Sequence, residues 1–123
     1  MKFFAKKQKG KEPEQARRLD RCTKLNPVIR HIIRRPVGGI WLDGTIGSFR
    51  FQALVFAAHA TNAEWELDRT KISKLWIQRV GDDRDAFNWD RGLDLPPIDS
   101  ETEIILELLK LSLPEVIDTL DWD

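Results

Sequence analysis

The period of the hydrophobic pattern changes after Gly38 and Gly39, and this change restricts the fold more than any other feature of the chain. Beyond the two glycines, large apolar residues recur at nearly every second position, most clearly over residues 49–56. Such alternation is typical of a half-buried strand, because successive side chains of a strand point to opposite faces of the sheet. The middle of the chain therefore predicts antiparallel strands joined by tight turns.

Four strands are expected from this pattern. They cover residues 40–46, 49–56, 71–79 and 86–90. Gly47 and Ser48 form the simplest turn between the first two strands. A turn at Asp43 and Gly44 is the alternative, and it would shift the register and exchange the inward and outward side chains. Residues 57–70 show no clear period and are expected to form a long connection.

Helical patterns precede the sheet. Residues 13–25 are rich in helix formers. Asn26 and Pro27 combine an N-cap residue with proline at the first helical position. The apolar residues that follow are four positions apart and arginines occupy the other side, which predicts a short basic helix that ends before Pro36.

Helical patterns also follow the sheet. Ser100 and Glu103 form a capping-box pattern ahead of a broad apolar face of about three turns. Pro114 is expected to end this helix and to start a second, shorter one.

These elements together predict an α+β fold. We expect a four-stranded antiparallel sheet with basic N-terminal helices and with C-terminal helices packed on one face. Residues 1–12 contain five lysines and few apolar groups, so we expect a mobile basic arm there. Residues 13–123 are expected to form a single domain, since a chain of 123 residues can bury one core without metal or disulfide.

The charges of the chain are segregated along its length, although its 20 basic and 20 acidic residues balance. Residues 1–36 contain twelve basic and three acidic residues, whereas residues 90–123 contain two basic and ten acidic residues. Two interpretations follow: the basic end binds an external polyanion, or the two ends face each other within the fold or across an oligomer.

Six arginines of the basic end are candidate binding residues, because they could neutralise phosphates or contact an acidic surface. They are Arg17, Arg18, Arg21, Arg30, Arg34 and Arg35. A second candidate is the turn of Asp90, Arg91 and Asp94, where two carboxylates around one guanidinium could bind a cation or an arginine-rich partner. The alternative is a structural turn in which Arg91 pairs with a neighbouring carboxylate and Gly92 adopts a positive φ.

Residues for catalysis or metal binding are few. The two histidines and the single cysteine, Cys22, have no ligand spacing, and neither histidine is near a nucleophile elbow or a glycine-rich phosphate loop. Asp82, Asp83 and Asp85 lack the glycine and the twelfth-position acid of a calcium loop. We therefore expect no catalytic residues, no metal and no cofactor.

Three tryptophans lie on expected strands, where each ring could fill the core or stack on a nucleic-acid base. They are Trp41, Trp76 and Trp89. A lone cysteine cannot form an internal disulfide, and no apolar run approaches the length of a signal peptide or a membrane span. The expected location is the cytoplasm, away from membranes.

Three motifs of residues 38–96 resemble a small uncharacterised domain found in bacterial, plasmid and phage proteins. They are F-x-A-x-V-F at residues 51–56, I-S-K-L at residues 72–75, and an aromatic-D-R-G-x-D turn at residues 89–94. The resemblance implies a compact α+β domain carried on mobile elements, and no chemistry. The chain departs from the pattern where residues 68–71 replace a glycine pair and Leu93 replaces a tryptophan.

The function expected from these features is that of a non-enzymatic accessory protein that binds another protein or itself. The alternative is a nucleic-acid-binding protein that uses the basic N-terminal arm and helices.

Overall fold

The computed structural model describes residues 25–122, which form a six-stranded antiparallel sheet and one long helix. Each strand pairs with the next one along the chain, so the spatial order is the sequence order. The strands are β1 (Val28–Arg34), β2 (Ile40–Ile46), β3 (Phe49–Val55), β4 (Ile72–Arg79), β5 (Arg84–Asp90) and β6 (Leu93–Leu95), and the helix is α1 (Ser100–Thr119). A 3-10 turn, Ala63–Trp65, lies in the connection between β3 and β4.

The core lies between one face of the sheet and α1. The alternation expected at residues 49–56 is present in β3, where Phe49, Phe51, Ala53 and Val55 are all buried. The helix covers this face with a stripe of apolar side chains spaced three or four residues apart. The stripe consists of Ile105, Leu106, Leu109, Leu113 and Ile117.

The turn between β2 and β3 is the one that the glycine pattern favoured. Ile46 pairs with Phe49, so Gly47 and Ser48 form the turn, and Gly47 has a φ of 58°. The alternative turn at Asp43 and Gly44 is excluded, because both residues pair within the ladder. The inward side chains of both strands are therefore the apolar set.

The predicted four-stranded sheet with basic N-terminal helices is wrong. The segment assigned to a short basic helix is the strand β1, and Leu93–Leu95 adds a sixth strand. The apolar residues of β1 are all valine or isoleucine, which lose χ1 freedom in a helix and fit a pleated surface. Pairing with the open edge of β2 decides the outcome. The expected mobile arm, and the expected helix up to residue 24, lie outside the described residues.

The expectation of several C-terminal helices is also wrong, because α1 continues through Pro114 to Thr119. Proline removes one N–H donor from a helix, a loss that costs about 3 kcal/mol in an exposed helix. Leu109, Leu113 and Ile117 lie on one side of α1 before and after the proline, and all three are buried in the same core. Burial of this stripe keeps the two parts in one helix.

Asp99 caps the N-terminus of α1, one residue before the cap expected from the sequence. One carboxylate oxygen accepts hydrogen bonds from the backbone N–H and the hydroxyl of Thr102, at 2.8 and 2.6 Å. The other oxygen accepts from the guanidinium of Arg79 at the end of β4. The cap therefore also ties the start of the helix to the sheet.

Gly44 is required for the pairing of β1 with β2. A Cβ atom at this position would lie 2.2 Å from the backbone oxygen of Val28. We expect Gly44→Ala to lower the free energy of unfolding by about 1–3 kcal/mol, measured by urea denaturation. Gly81→Ala is the matched control, because a Cβ there meets nothing within 4 Å. Equal stability of the two variants would contradict this account of β1.

The Asp99 cap predicts a pH dependence of stability. Partial burial acts to raise the pKa of Asp99, but the Thr102 hydrogen bonds and the Arg79 guanidinium outweigh it, so the pKa lies below its ordinary value of 3.8. A lowered pKa in the folded state stabilises the protein above the unfolded pKa, and this contribution is lost as the pH falls through the folded pKa.

We therefore expect Asp99→Ala to lower the free energy of unfolding by about 0.5–2 kcal/mol at neutral pH. The difference from wild type should shrink below pH 3.8. Asp99→Asn is the control, because asparagine keeps a cap acceptor without a charge that titrates. A loss that is the same at about pH 2 as at about pH 7 would show that the charge of Asp99 contributes nothing.

Candidate interaction surface

The structure places the predicted arginines that it describes along one edge of the sheet. Arg30 and Arg34 lie on β1, and Arg35 follows directly; Arg30 and Arg34 are exposed and Arg35 is half-buried. Arg17, Arg18 and Arg21 lie outside the described residues.

Apolar side chains of β1 are exposed on both faces of the sheet. Ile33 pairs with Trp41 on the face away from α1, and Ile32 pairs with Leu42 on the helix side. Val28, Ile32 and Ile33 are 52, 51 and 56% exposed. Large aliphatic side chains on an edge strand are typical of a site where another chain adds to the sheet.

The backbone of β1 also presents hydrogen-bonding groups outward. The N–H of Arg35 donates to Gly39 O at 3.1 Å, so alternation directs the groups of Ile33 and His31 toward β2 and those of Ile32 and Arg34 outward. Among residues 25–122, no strand pairs with this outer edge. A bulge at Arg30 interrupts the ladder, so the regular part of the edge begins at His31.

The charge of this edge is positive. The nearest carboxylate on the neighbouring strand, that of Asp43, accepts a hydrogen bond from Nδ1 of His31 at 2.9 Å. The three arginines make no ion pair with any residue of the described chain. The edge therefore combines outward backbone groups, aliphatic side chains and positive charge.

The acidic end of the chain approaches this edge at one place. Arg34 and Arg35 line a shallow cavity of about 400 Å³ together with Asp121 and Trp122. The indole N–H of Trp122 donates to Ile117 O at 3.0 Å, and its ring packs against the core. The charge segregation seen in the sequence therefore brings opposite charges near each other within the fold.

The turn of Asp90, Arg91 and Asp94 is structural in part. Gly92 has a positive φ of 151°, as expected of a turn glycine. The ion pair that the structural alternative gave to Arg91 is not formed with any described carboxylate, and Asp90 instead contacts Nζ of Lys74 at 3.5 Å. Asp94 lies on β6, and within residues 25–122 no group of three acidic, histidine or cysteine side chains is arranged for a metal ion.

The tryptophans divide between the two faces of the sheet. Trp89 pairs with Leu75 and packs against the core. Trp41 and Trp76 lie on the opposite face, where the Arg50 guanidinium is 5.7 Å from the ring centre of Trp76. The Trp76 indole N–H donates to Asp85 at 3.0 Å, so side chains of the sheet itself hold this ring in place.

A polar cluster in the connection between β3 and β4 was not predicted from the sequence patterns. His59 and Glu66 are in hydrogen-bond contact there, and both line a cavity that Arg91 also lines. Their spacing fits no motif, and the period of residues 57–70 is irregular. Asp68, Arg69 and Lys71, which follow Glu66, have left-handed φ values that mark this loop as unusual, and these values are visible only in the structure.

Within residues 25–122, an antiparallel sheet in sequence order is covered on one face by α1, which defines a small α+β domain whose sheet ends in the edge strands β1 and β6. Residues 40–113 match the family described as Domain of unknown function (DUF7678), and the chain belongs to this family. The expectation of an uncharacterised domain is thereby confirmed. The match begins at β2 and ends within α1, so it contains the His59 cluster but not β1.

No curated protein and no solved structure matches the chain significantly. Within residues 25–122, none of the helical structure has the length and apolar character needed to span a membrane.

Proposed function

We propose that this chain is a non-enzymatic accessory protein of the cytoplasm that binds another protein through the outer edge of β1. The observation that carries the proposal is the edge itself, where the outward backbone groups of Ile32 and Arg34 lie beside half-exposed aliphatic side chains. An extended segment that adds to such an edge gains backbone hydrogen bonds and places alternate side chains against each face. The resemblance to a domain of plasmid and phage proteins supports a mobile element as the setting.

The charge of the edge indicates the chemistry of the partner. Arg30, Arg34 and Arg35 form no ion pair with any described residue, so an added strand with acidic residues would gain favourable electrostatic contacts. Ile33 lies on the face away from α1 and Arg34 lies on the helix side, so apolar residues on one face of the added strand would pack against Ile33 and acidic residues on its other face would lie near Arg34. The partner segment is therefore an extended stretch in which acidic and apolar residues alternate.

Self-association through two β1 edges is less favourable than this arrangement. Antiparallel pairing of β1 with its own copy would bring Arg30 and Arg34 of one chain near the same residues of the other. Like charges across a strand pair destabilise it, so this dimer would form only at high salt.

A nucleic acid is the other occupant that the arginines support. Phosphates would contact the guanidinium groups but would not need the outward backbone groups of Ile32 and Arg34. The two occupants therefore differ in their response to removal of a backbone N–H.

The test is a titration of the full ¹⁵N-labelled chain with a ten-residue peptide that alternates valine and glutamate. We expect shifts of the β1 amide signals, and we expect Ile32→Pro to weaken binding about tenfold, because proline removes an outward donor while the β1–β2 hydrogen bonds remain. Ile32→Ala is the control: it loses more of the side chain than Ile32→Pro does but keeps the N–H, so it should bind the peptide more tightly than Ile32→Pro if the N–H matters.

Three results would overturn the proposal. One is the absence of any shift in β1, and another is equal binding by Ile32→Pro and Ile32→Ala. The third is tighter binding of a ten-nucleotide oligothymidylate that Ile32→Pro does not affect, which would identify a nucleic-acid-binding protein instead. Sedimentation of the free chain at low and high salt separates self-association from both.

A further inference from the structure

A second concave site lies at the end of the central strands where the β3–β4 connection meets the β5–β6 turn. It has a volume of about 370 Å³, which is within the size range of small-molecule sites. Phe56 and Trp65 contribute to an apolar wall, and His59, Lys71, Ser73 and Arg91 contribute polar groups. This combination of an apolar wall with a few convergent polar groups is typical of a site for a small organic ligand.

A buried carboxylate organises the polar side of the cavity. Glu66 is only 5% exposed. Its Oε1 accepts from the backbone N–H of Lys71 at 2.7 Å, and its Oε2 lies 3.0 Å from Nδ1 of His59. Both oxygens are therefore engaged, and the contact at Nδ1 leaves Nε2 of His59 without a hydrogen-bond partner in the described chain. Glu66 positions the loop and the imidazole.

Within residues 25–122, the two cations of the cavity, Lys71 and Arg91, have no carboxylate that forms an ion pair with them. Lys74, Arg79 and Lys110 each form an ion pair elsewhere on the surface. Lys71 and Arg91 form none with any described residue, and the one carboxylate that lines the cavity is already engaged. The cavity therefore has an excess of positive charge that an anion would neutralise.

The backbone at both cations is strained. Lys71 and Arg91 have φ values of 68° and 54°, in the left-handed region that disfavours side chains by about 1–2 kcal/mol per residue. Glycine would fit both positions with less strain but would bring no charge. Hydrogen bonds hold the strained residues in place: Glu66 accepts from Lys71 N, and Ser73 O accepts from Arg91 N at 3.1 Å. Strain that is maintained at two charged positions of one cavity points to a role in binding.

The apolar wall indicates what the anion carries. Trp65 follows an Asn62 cap in the short 3-10 turn and is 48% exposed, which is unusual for so large a ring. A planar group that packs against this ring would remove apolar surface from water. We propose that the cavity binds a small organic anion in which a phosphate or carboxylate group contacts Lys71 and Arg91 and an aromatic or other flat apolar group packs against Trp65.

This site is independent of β1. All the residues that form it lie within the part of the chain that matches the family, whereas β1 precedes that part. Ligand binding here would therefore be a property of the domain itself, with or without a partner on the edge strand.

The test is a titration of the full ¹⁵N-labelled chain with phenyl phosphate, with benzoate and with phenol. We expect saturable shifts of the Trp65 indole N–H and of backbone amides near His59 and Arg91, with a dissociation constant below about 10 mM for at least one of the two anions. Phenol, which has the ring without the charge, should bind at least about tenfold more weakly. The comparison of phenyl phosphate with benzoate identifies which anionic group the cavity prefers.

The matched variants are Arg91→Gln and Arg69→Gln. Both remove one positive charge from a residue with a left-handed φ, but Arg69 does not line the cavity. Arg91→Gln should weaken binding of the preferred anion about tenfold, and Arg69→Gln should leave it within about twofold of wild type. Lys71→Gln provides a second variant if Arg91→Gln does not give a folded amide spectrum.

The inference is overturned if neither anion gives a saturable shift, if phenol binds as well as the anions, or if Arg69→Gln weakens binding as much as Arg91→Gln. Ile32→Pro should bind the preferred anion as wild type does. A failure of the peptide titration at β1 would therefore leave this result unaffected, and the two proposals can fail separately.

Discussion

Burial of the apolar face of β3 beneath α1 is the interaction on which the rest of the structure depends. Phe49 and Phe51 are among the largest fully buried side chains, and they lie in the central part of the sheet. The stripe from Leu109 to Ile117 covers this face and continues past Pro114, so packing outweighs the hydrogen bond that proline cannot make. The Asp99 cap and its contact with Arg79 then set where the helix begins against the sheet.

In the part of the chain that the structure describes, one helix covers one face of a six-stranded sheet, which leaves other surfaces of the sheet available for binding. The edge strand β1 keeps aliphatic side chains and arginines in solvent. The connection between β3 and β4, which is the longest in the sheet, forms a cavity instead of a tight turn. The edge would recognise an extended chain through backbone groups, whereas the cavity would recognise a small anion through Lys71 and Arg91. The first site thus depends on an uncovered edge strand, and the second depends on a long connection between two central strands.

Local patterns predicted much of the sheet, because β2 to β5 carry alternation or turn glycines that act within a few residues. The turn at Gly47 and the start of α1 within one residue are examples. The prediction failed at β1, because isoleucines at two successive positions fit both a helix and a strand. Pairing of this segment with β2 decides between the two, and the local sequence does not show that pairing. Of the candidate site, the charge of Arg30 and Arg34 was evident from composition, but their place on an edge strand was not. The contact of His59 with Glu66 depends on a loop whose left-handed residues have no sequence signature.

The sequence by itself determined the alternation that buries Phe49, Phe51, Ala53 and Val55 along β3, and it determined that positive and negative charge lie at opposite ends of the chain, because period and composition are local properties. Only the tertiary structure decided that the basic segment is a strand, that Arg34 and Arg35 approach the acidic end, and that Lys71 and Arg91 line one cavity. These outcomes depend on pairing between residues far apart in the chain. The interactions that stabilise β1 or bring Lys71 and Arg91 to one cavity form only after the neighbouring strands have paired.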